Sequence, residues 1–162
     1  MDILFINPDS ELSAIVTVLN ISHGTVAEEF GFTKDNNPSN NAFIDTPSLR
    51  FQLKKGIDLY AMSLDDKFIA CIAIEKSLKE PGTFYIEKVS VIPEYRNRGY
   101  GVKMMDFAQL KIKELGGKTV SIALIDSNTK LKNWYIAQGF SETGYKDFDH
   151  LPFRVCFMNK QL

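Results

Sequence analysis

A chain of 162 residues fits one ordinary domain, long enough to bury an apolar core without help from disulfides or metal. With 44% hydrophobic residues, 24% charged residues and a net charge of −1, the composition excludes a collagen, a disordered tail, a disulfide scaffold and a globally basic nucleic-acid binder. Cys71 and Cys156 lie far apart in apolar runs, as buried thiols do, and they stand at no ligand-like spacing from the histidines. No metal is therefore expected. The opening Met1-Asp2-Ile3-Leu4-Phe5-Ile6-Asn7-Pro8 has no basic n-region, and no run approaches the roughly 18 apolar residues of a membrane span. A cytoplasmic protein with no membrane partner is the default expectation.

In chain order, Ile3–Ile6 reads as a short strand stopped by Asn7-Pro8. Ser10–Phe30 carries Leu12, Ile15, Val16, Leu19, Val26 and Phe30 mostly at helical spacing, with a break expected at Gly24. Asp35–Asn41 is loop chemistry, and Pro47 suits the first turn of a short helix through Lys55, ended by Gly56. Ile57–Leu64, Phe68–Ser77 and Thr83–Ile92 are three strands joined by Asp65-Asp66-Lys67 and Pro81-Gly82, an antiparallel meander.

After Pro93 a turn holding Gly99 and Gly101 leads into a helix to about Leu115. Its expected buried stripe is Met105, Ala108, Ile112 and Leu115. Gly116-Gly117 closes it. Thr119–Ile125 is a nearly continuous apolar strand, as expected where both faces are covered. Asp126 or Ser127 is the expected cap of a helix running to about Gln138, stopped by Gly139. Phe140–Tyr145 and Phe153–Asn159 are the last strands. The order β-α-α-β-β-β-α-β-α-β-β predicts a single domain, 1–162, with a mixed α/β (α+β) sheet and helices on both faces.

The informative stretch is Val89-Ser90-Val91-Ile92-Pro93-Glu94-Tyr95-Arg96-Asn97-Arg98-Gly99-Tyr100-Gly101-Val102. A strand delivers the chain to a glycine-bearing turn that opens a helix. The first helical N–H groups have no internal partner and, with the helix dipole, form an anion site. Glycine lets a pyrophosphate approach the backbone, and Arg96 and Arg98 add positive charge. The same pattern also describes an ordinary strand-to-helix turn with solvated arginines. A dinucleotide fingerprint fails because Met104 stands where glycine is needed. Gly117-Lys118-Thr119 fails as a P-loop because Ile112 replaces its first glycine and a strand follows.

Arg96-x-x-Gly99-x-Gly101, preceded by Val89-x-Val91-x-Pro93, resembles the acyl-CoA-binding motif of the GNAT family of N-acetyltransferases. A second block, Asn128-x-x-Leu131-x-x-Trp134-Tyr135-x-x-x-Gly139-Phe140, resembles the later helix of the same family. The resemblance runs from about Ile57 to Phe140 and implies a GNAT-like, mostly antiparallel central sheet of about six to seven strands flanked by about four helices. It implies an N-acetyltransferase that moves an acetyl group from acetyl-CoA, its co-substrate, to a primary amine by direct attack in a ternary complex.

By the same resemblance, backbone groups of Val89 and Val91 hold the pantetheine arm, amides from Asn97 to Val102 (Asn97, Arg98, Gly99, Tyr100, Gly101, Val102) hold the pyrophosphate, and Asn128 bonds the pantetheine. Tyr135 is the expected acid for the leaving thiolate. Glu87, in an Ile-Glu-x-x-x-Val context, is the candidate base; strand alternation predicts that it shares a face with Val89 and Val91. The alternative for Glu87 is a structural carboxylate.

The resemblance implies a small-molecule or peptide amine as acceptor, in a site built largely from Ser22–Asn41 and Tyr145–Pro152, and no nucleic-acid partner is expected. Many relatives pair, so a homodimer is compatible. The alternative function is a non-catalytic acyl-CoA-binding sensor or scaffold. Trp134 and Phe140 are expected in the core. Lys103, Lys130 and Lys132 are expected to be solvated, and His150 structural. Asn20-Ile21-Ser22 spells a glycosylation sequon without a secretion signal to give it meaning.

Overall fold

The computed structural model describes residues 1–162. Its elements are β1 (Asp2–Phe5), α1 (Ser13–Phe30), a 3-10 turn (Asn41–Phe43), α2 (Thr46–Lys54), β2 (Asp58–Leu64), β3 (Lys67–Lys76), β4 (Thr83–Val91), a second 3-10 turn (Pro93–Tyr95), α3 (Tyr100–Glu114), β5 (Thr119–Ile125), α4 (Thr129–Ala137), β6 (Ser141–Asp147) and β7 (Arg154–Gln161). Apart from the two 3-10 turns, this is the order read from the sequence. The strands form one seven-stranded sheet in the order β1-β2-β3-β4-β5-β7-β6. Every neighbouring pair is antiparallel except β4–β5.

Local chemistry explains the meander. Asp65 and Asp66, with φ of 49° and 60°, make the two-residue turn between β2 and β3; short polar side chains tolerate this left-handed geometry, and its twist matches that of the strands. Ile69–Ile74 is buried throughout because helices cover both faces of β3. Opposed residues on paired strands share a face. Ser90, opposite Cys71, faces α1, where its Oγ lies 3.3 Å from His23 Nε2. Val91, opposite Ala70, faces α3, where a Cβ placed on Gly101 would lie 3.8 Å from Val91 Cγ2.

Three expectations need correction. The break at Gly24 is absent, and α1 runs unbroken from Ser13 to Phe30. A glycine inside a helix costs about 1 kcal/mol relative to alanine, less than is gained by burying even one large aliphatic side chain. Ile15, Val18, Leu19 and Ala27 are all buried by this helix. It stops instead at Gly31, whose φ of 70° suits a left-handed cap. Leu115 is not in the α3 stripe but 56% exposed, because α3 has ended and Gly116 (φ 80°) turns the chain away. Met104 and Gln109 complete that face with Met105, Ala108 and Ile112. Finally, α4 is capped by Asn128, whose Oδ1 accepts from the Leu131 N–H at 3.2 Å, rather than by Asp126 or Ser127.

No heavy atom lies within 4 Å of a Cβ built on Gly24. Gly24→Ala should therefore raise stability by about 0.5–1 kcal/mol, seen as a higher urea midpoint at unchanged m-value. A lower midpoint would contradict the continuous helix.

Candidate active site

The parallel pairing of β4 with β5 covers only Thr83–Tyr85 against Thr119–Ser121. Beyond it, β4 stays on β3 and β5 stays on β7. The arms Ile86–Val91 and Ile122–Ile125 part, opening a wedge with unpaired backbone on its facing edges.

A β-bulge lies in the β4 arm. Glu87 opposes Ala73 and Ser90 opposes Cys71, so Lys88 and Val89 share Ile72, and Lys88 takes φ 53°. The extra residue reverses the alternation. Glu87 lies on the α1 face with Ser90, while Val91 lies on the α3 face. The expected common face for Glu87 and Val91 is thus wrong, because strict alternation assumes an unbroken ladder.

The bulge is set in polar contacts. Ser90 Oγ donates to the Lys88 carbonyl at 2.7 Å. That uses the hydroxyl's only proton, so at 3.3 Å His23 Nε2–H donates to Ser90 Oγ, which fixes the imidazole tautomer. Lys88 Nζ donates to Asn41 Oδ1 at 2.9 Å. Asn20 Nδ2 donates to the carbonyls of Asn41 and Ile44, both at 3.0 Å, so the sequon asparagine is a structural tie. Glu87 Oε1 is buried without a hydrogen-bond partner. Burial pushes the Glu87 pKa up, against the pull of the Lys88 ammonium and with the help of the Glu75 carboxylate. Burial, then the Lys88 and Arg96 charges, hold His23 down at about 4, so it is neutral at pH 7.

Sequence reading missed His23, Lys88 and Ser90. A bulge centred on a lysine rather than a glycine leaves no local mark, and His23 is defined only by what it meets across the sheet.

The turn after β4 carries left-handed Asn97 (φ 59°) and Gly99 (φ 80°) and opens α3 with no side-chain cap and no acid in its first turn. The amides of Tyr100, Gly101 and Val102 there lack helical partners. Arg98 stands over the Tyr95 ring at 5.4 Å and Lys103 over the Tyr100 ring at 5.6 Å. Arg96 turns inward: Nε donates to the Val91 carbonyl at 3.0 Å and Nη2 to the Ser22 carbonyl at 2.9 Å, tying the turn to β4 and α1. Gly101 packs closely on α4: a Cβ there would lie 3.1 Å from Trp134 Cζ2.

Across the wedge, α4 carries Asn128 and Tyr135. Tyr135 is 5% exposed, its ring edge-on to Trp134 at 5.0 Å and to Phe140 at 5.6 Å. Burial raises its pKa, so the phenol keeps its proton. Lys132 is not solvated as expected: its Nζ bonds Asp126 Oδ1 and Glu142 Oε1, both at 2.7 Å. The donor atoms of Asp126, Glu142 and Cys156 lie within 4.8 Å of one another, but the Lys132 ammonium already engages both carboxylates. Phe32, within Ser22–Asn41, meets Phe153, the residue just after Tyr145–Pro152, with ring centroids 5.1 Å apart.

Residues 26–140 match the family described as Acetyltransferase (GNAT) family. Solved structures share the fold. One is the ribosomal-protein-S18-alanine N-acetyltransferase from Escherichia coli, with TM-score 0.75 and 13% identity, covering 99% of this chain and 92% of that one. The ribosomal-protein-alanine N-acetyltransferase from Brucella melitensis has TM-score 0.74 and 15% identity, with 100% of both chains covered. A GNAT family acetyltransferase from Elizabethkingia anophelis with acetyl-CoA bound has TM-score 0.71 and 16% identity, covering 99% and 97%.

The lowered His23 pKa has a testable sign. As pH falls from 6.5 toward about 4, the unfolded chain binds a proton on His23 and the folded chain does not. The contribution is therefore fully present above 6.5 and is lost on acidification, by up to about 3 kcal/mol. His23→Gln should flatten the wild-type loss of stability between pH 6.5 and 4, measured by urea unfolding. An unchanged slope would contradict the buried neutral imidazole.

Proposed function

The chain belongs to the Acetyltransferase (GNAT) family, and from that premise we propose that it transfers acetyl from acetyl-CoA to a primary amine by direct attack in a ternary complex. The observation that carries this reading is the wedge itself. An unpaired β4 edge runs straight into an uncapped α3 N-terminus, with the Glu87 carboxylate on the β4 arm and the Tyr135 phenol on α4.

In this reading the Val89 and Val91 backbone pairs with the pantetheine arm as an added strand. The amides of Asn97–Val102 take the pyrophosphate, with Arg98 at the rim and Arg96 holding the turn from within. Asn128 uses its Oδ1 on the helix cap, which leaves its amide N–H groups for a pantetheine carbonyl. The amine arrives on the α1 face, where Glu87 lies, and the donor along the α3 face.

A free alkylamine with pKa near ~10.4 arrives as ammonium and must lose a proton. Glu87 accepts it; its raised pKa brings a carboxylate closer to the basicity such a step needs. The amine lone pair attacks the thioester carbon. A backbone N–H near Val91 stabilises the oxyanion. The tetrahedral intermediate collapses with cleavage of the C–S bond as Tyr135 gives the sulfur its proton; the second proton of the attacking nitrogen restores the phenol through solvent, leaving amide, free thiol and one net proton on Glu87.

Thiol release with acetyl-CoA over a panel of primary amines tests the reading. Tyr135→Phe should lower kcat by about 100-fold or more with little change in the KM for acetyl-CoA. Glu87→Gln should lower kcat/KM and flatten the acid limb of its pH profile. Tight acetyl-CoA binding with no thiol released by any amine would contradict catalysis and support a sensor.

A further inference from the structure

The helix that carries Tyr135 is short, and of its residues Thr129–Ala137 only Tyr135 itself is buried. Helices of this length are marginal by themselves and take their position from tertiary contacts. Apolar packing around Tyr135 fixes one point. The Asn128 cap and the Trp134 contact with α3 act at the helix start and on another side. The strongest polar contact is at Lys132, one turn before Tyr135. Its Nζ bonds Asp126 Oδ1 at the end of β5 and Glu142 Oε1 on β6, both at 2.7 Å. The three side chains are only 17%, 26% and 34% exposed. These are not free surface pairs, which contribute little; they are partly desolvated, and the two carboxylates would repel each other without the cation.

We propose that Lys132 is a positioning residue for acetyl transfer: its paired bonds to Asp126 and Glu142 anchor α4 on the β5 arm so that the Tyr135 hydroxyl is aimed into the wedge. The inference rests on the reading of Tyr135 as the leaving-group acid. Lys132 touches no reacting atom and acts only through the helix. Losing the anchor lets the Tyr135 end of α4 shift about the Asn128 cap, while the cap, the β4 edge and the α3 amides, which hold the donor, stay in place.

The test is a double-mutant cycle on kcat with Lys132→Met, Tyr135→Phe and the double variant, using the best amine of the panel. Lys132→Met should lower kcat by about 10- to 100-fold, as misplacement of a catalytic group does, with the KM for acetyl-CoA nearly unchanged. The double variant should be no slower than Tyr135→Phe alone, because both changes remove one contribution. Lys132→Arg, which can keep both bonds, should restore most of the rate. Losses that multiply in the double variant, or a raised acetyl-CoA KM with normal kcat, would overturn the proposal. A Tyr135→Phe enzyme with full kcat would instead remove the acid role of Tyr135.

If Lys132→Met does not fold, Asp126→Asn and Glu142→Gln added to it relieve the carboxylate repulsion. That triple variant should keep the kcat loss, and full recovery would mean that Lys132 only neutralises charge. One readout needs no turnover. The Tyr135 ring-proton resonances, displaced by the rings of Trp134 and Phe140, should move in Lys132→Met and hold in Lys132→Arg. Unmoved resonances in Lys132→Met would overturn the positioning role.

Discussion

The site depends on one backbone constraint, the left-handed conformation of Lys88 in β4. A non-glycine residue there costs roughly 1–2 kcal/mol and would relax if nothing held it. Ser90 bonds back to the Lys88 carbonyl, His23 bonds to Ser90, and the lysine head reaches Asn41. Together these contacts offset the strain. The bulge bends the strand, and where it sits the β4–β5 pairing has already ended. The bulge therefore lies within the β4 edge of the wedge, and side chains before and after Lys88 face opposite layers.

That reversal has a chemical consequence under the proposed reading. A base and a donor-binding strand edge on the same face would force amine and thioester to compete for one approach. With Glu87 on the α1 face and Val91 turned to α3, the two substrates meet at the wedge from opposite sides. Arg96 links the layers by bridging the Val91 and Ser22 carbonyls, so the turn that opens α3 is held in register with both the strand and α1. Its role in the fold is a clamp, while Arg98, over Tyr95, remains the arginine at the rim.

Much of this was legible in the sequence, for stated reasons. Period-two and period-3.6 apolar patterns report burial on one face, so the strands and helices came out in the right order. Asp65-Asp66 and Gly116-Gly117 marked their turns through backbone preference. The two motif blocks marked the turn before α3 and the start of α4 because turn glycines and a helix-opening asparagine are local features. What was not legible is non-local. Gly24 looked like a break because propensity was weighed without the burial of Ile15 and Leu19. Lys132 looked solvated because its partners, Asp126 and Glu142, meet it only after β5 and β6 are assembled around α4. The face of Glu87 was misread because a single inserted residue, invisible in composition, shifts the alternation.

The most direct measurement is a titration of isotope-labelled protein with coenzyme A, followed by backbone amide resonances. Saturable shifts concentrated at Val89, Val91 and Asn97–Val102 are the predicted result. Shifts confined to other parts of the fold, or none at millimolar coenzyme A, would contradict the account at its centre.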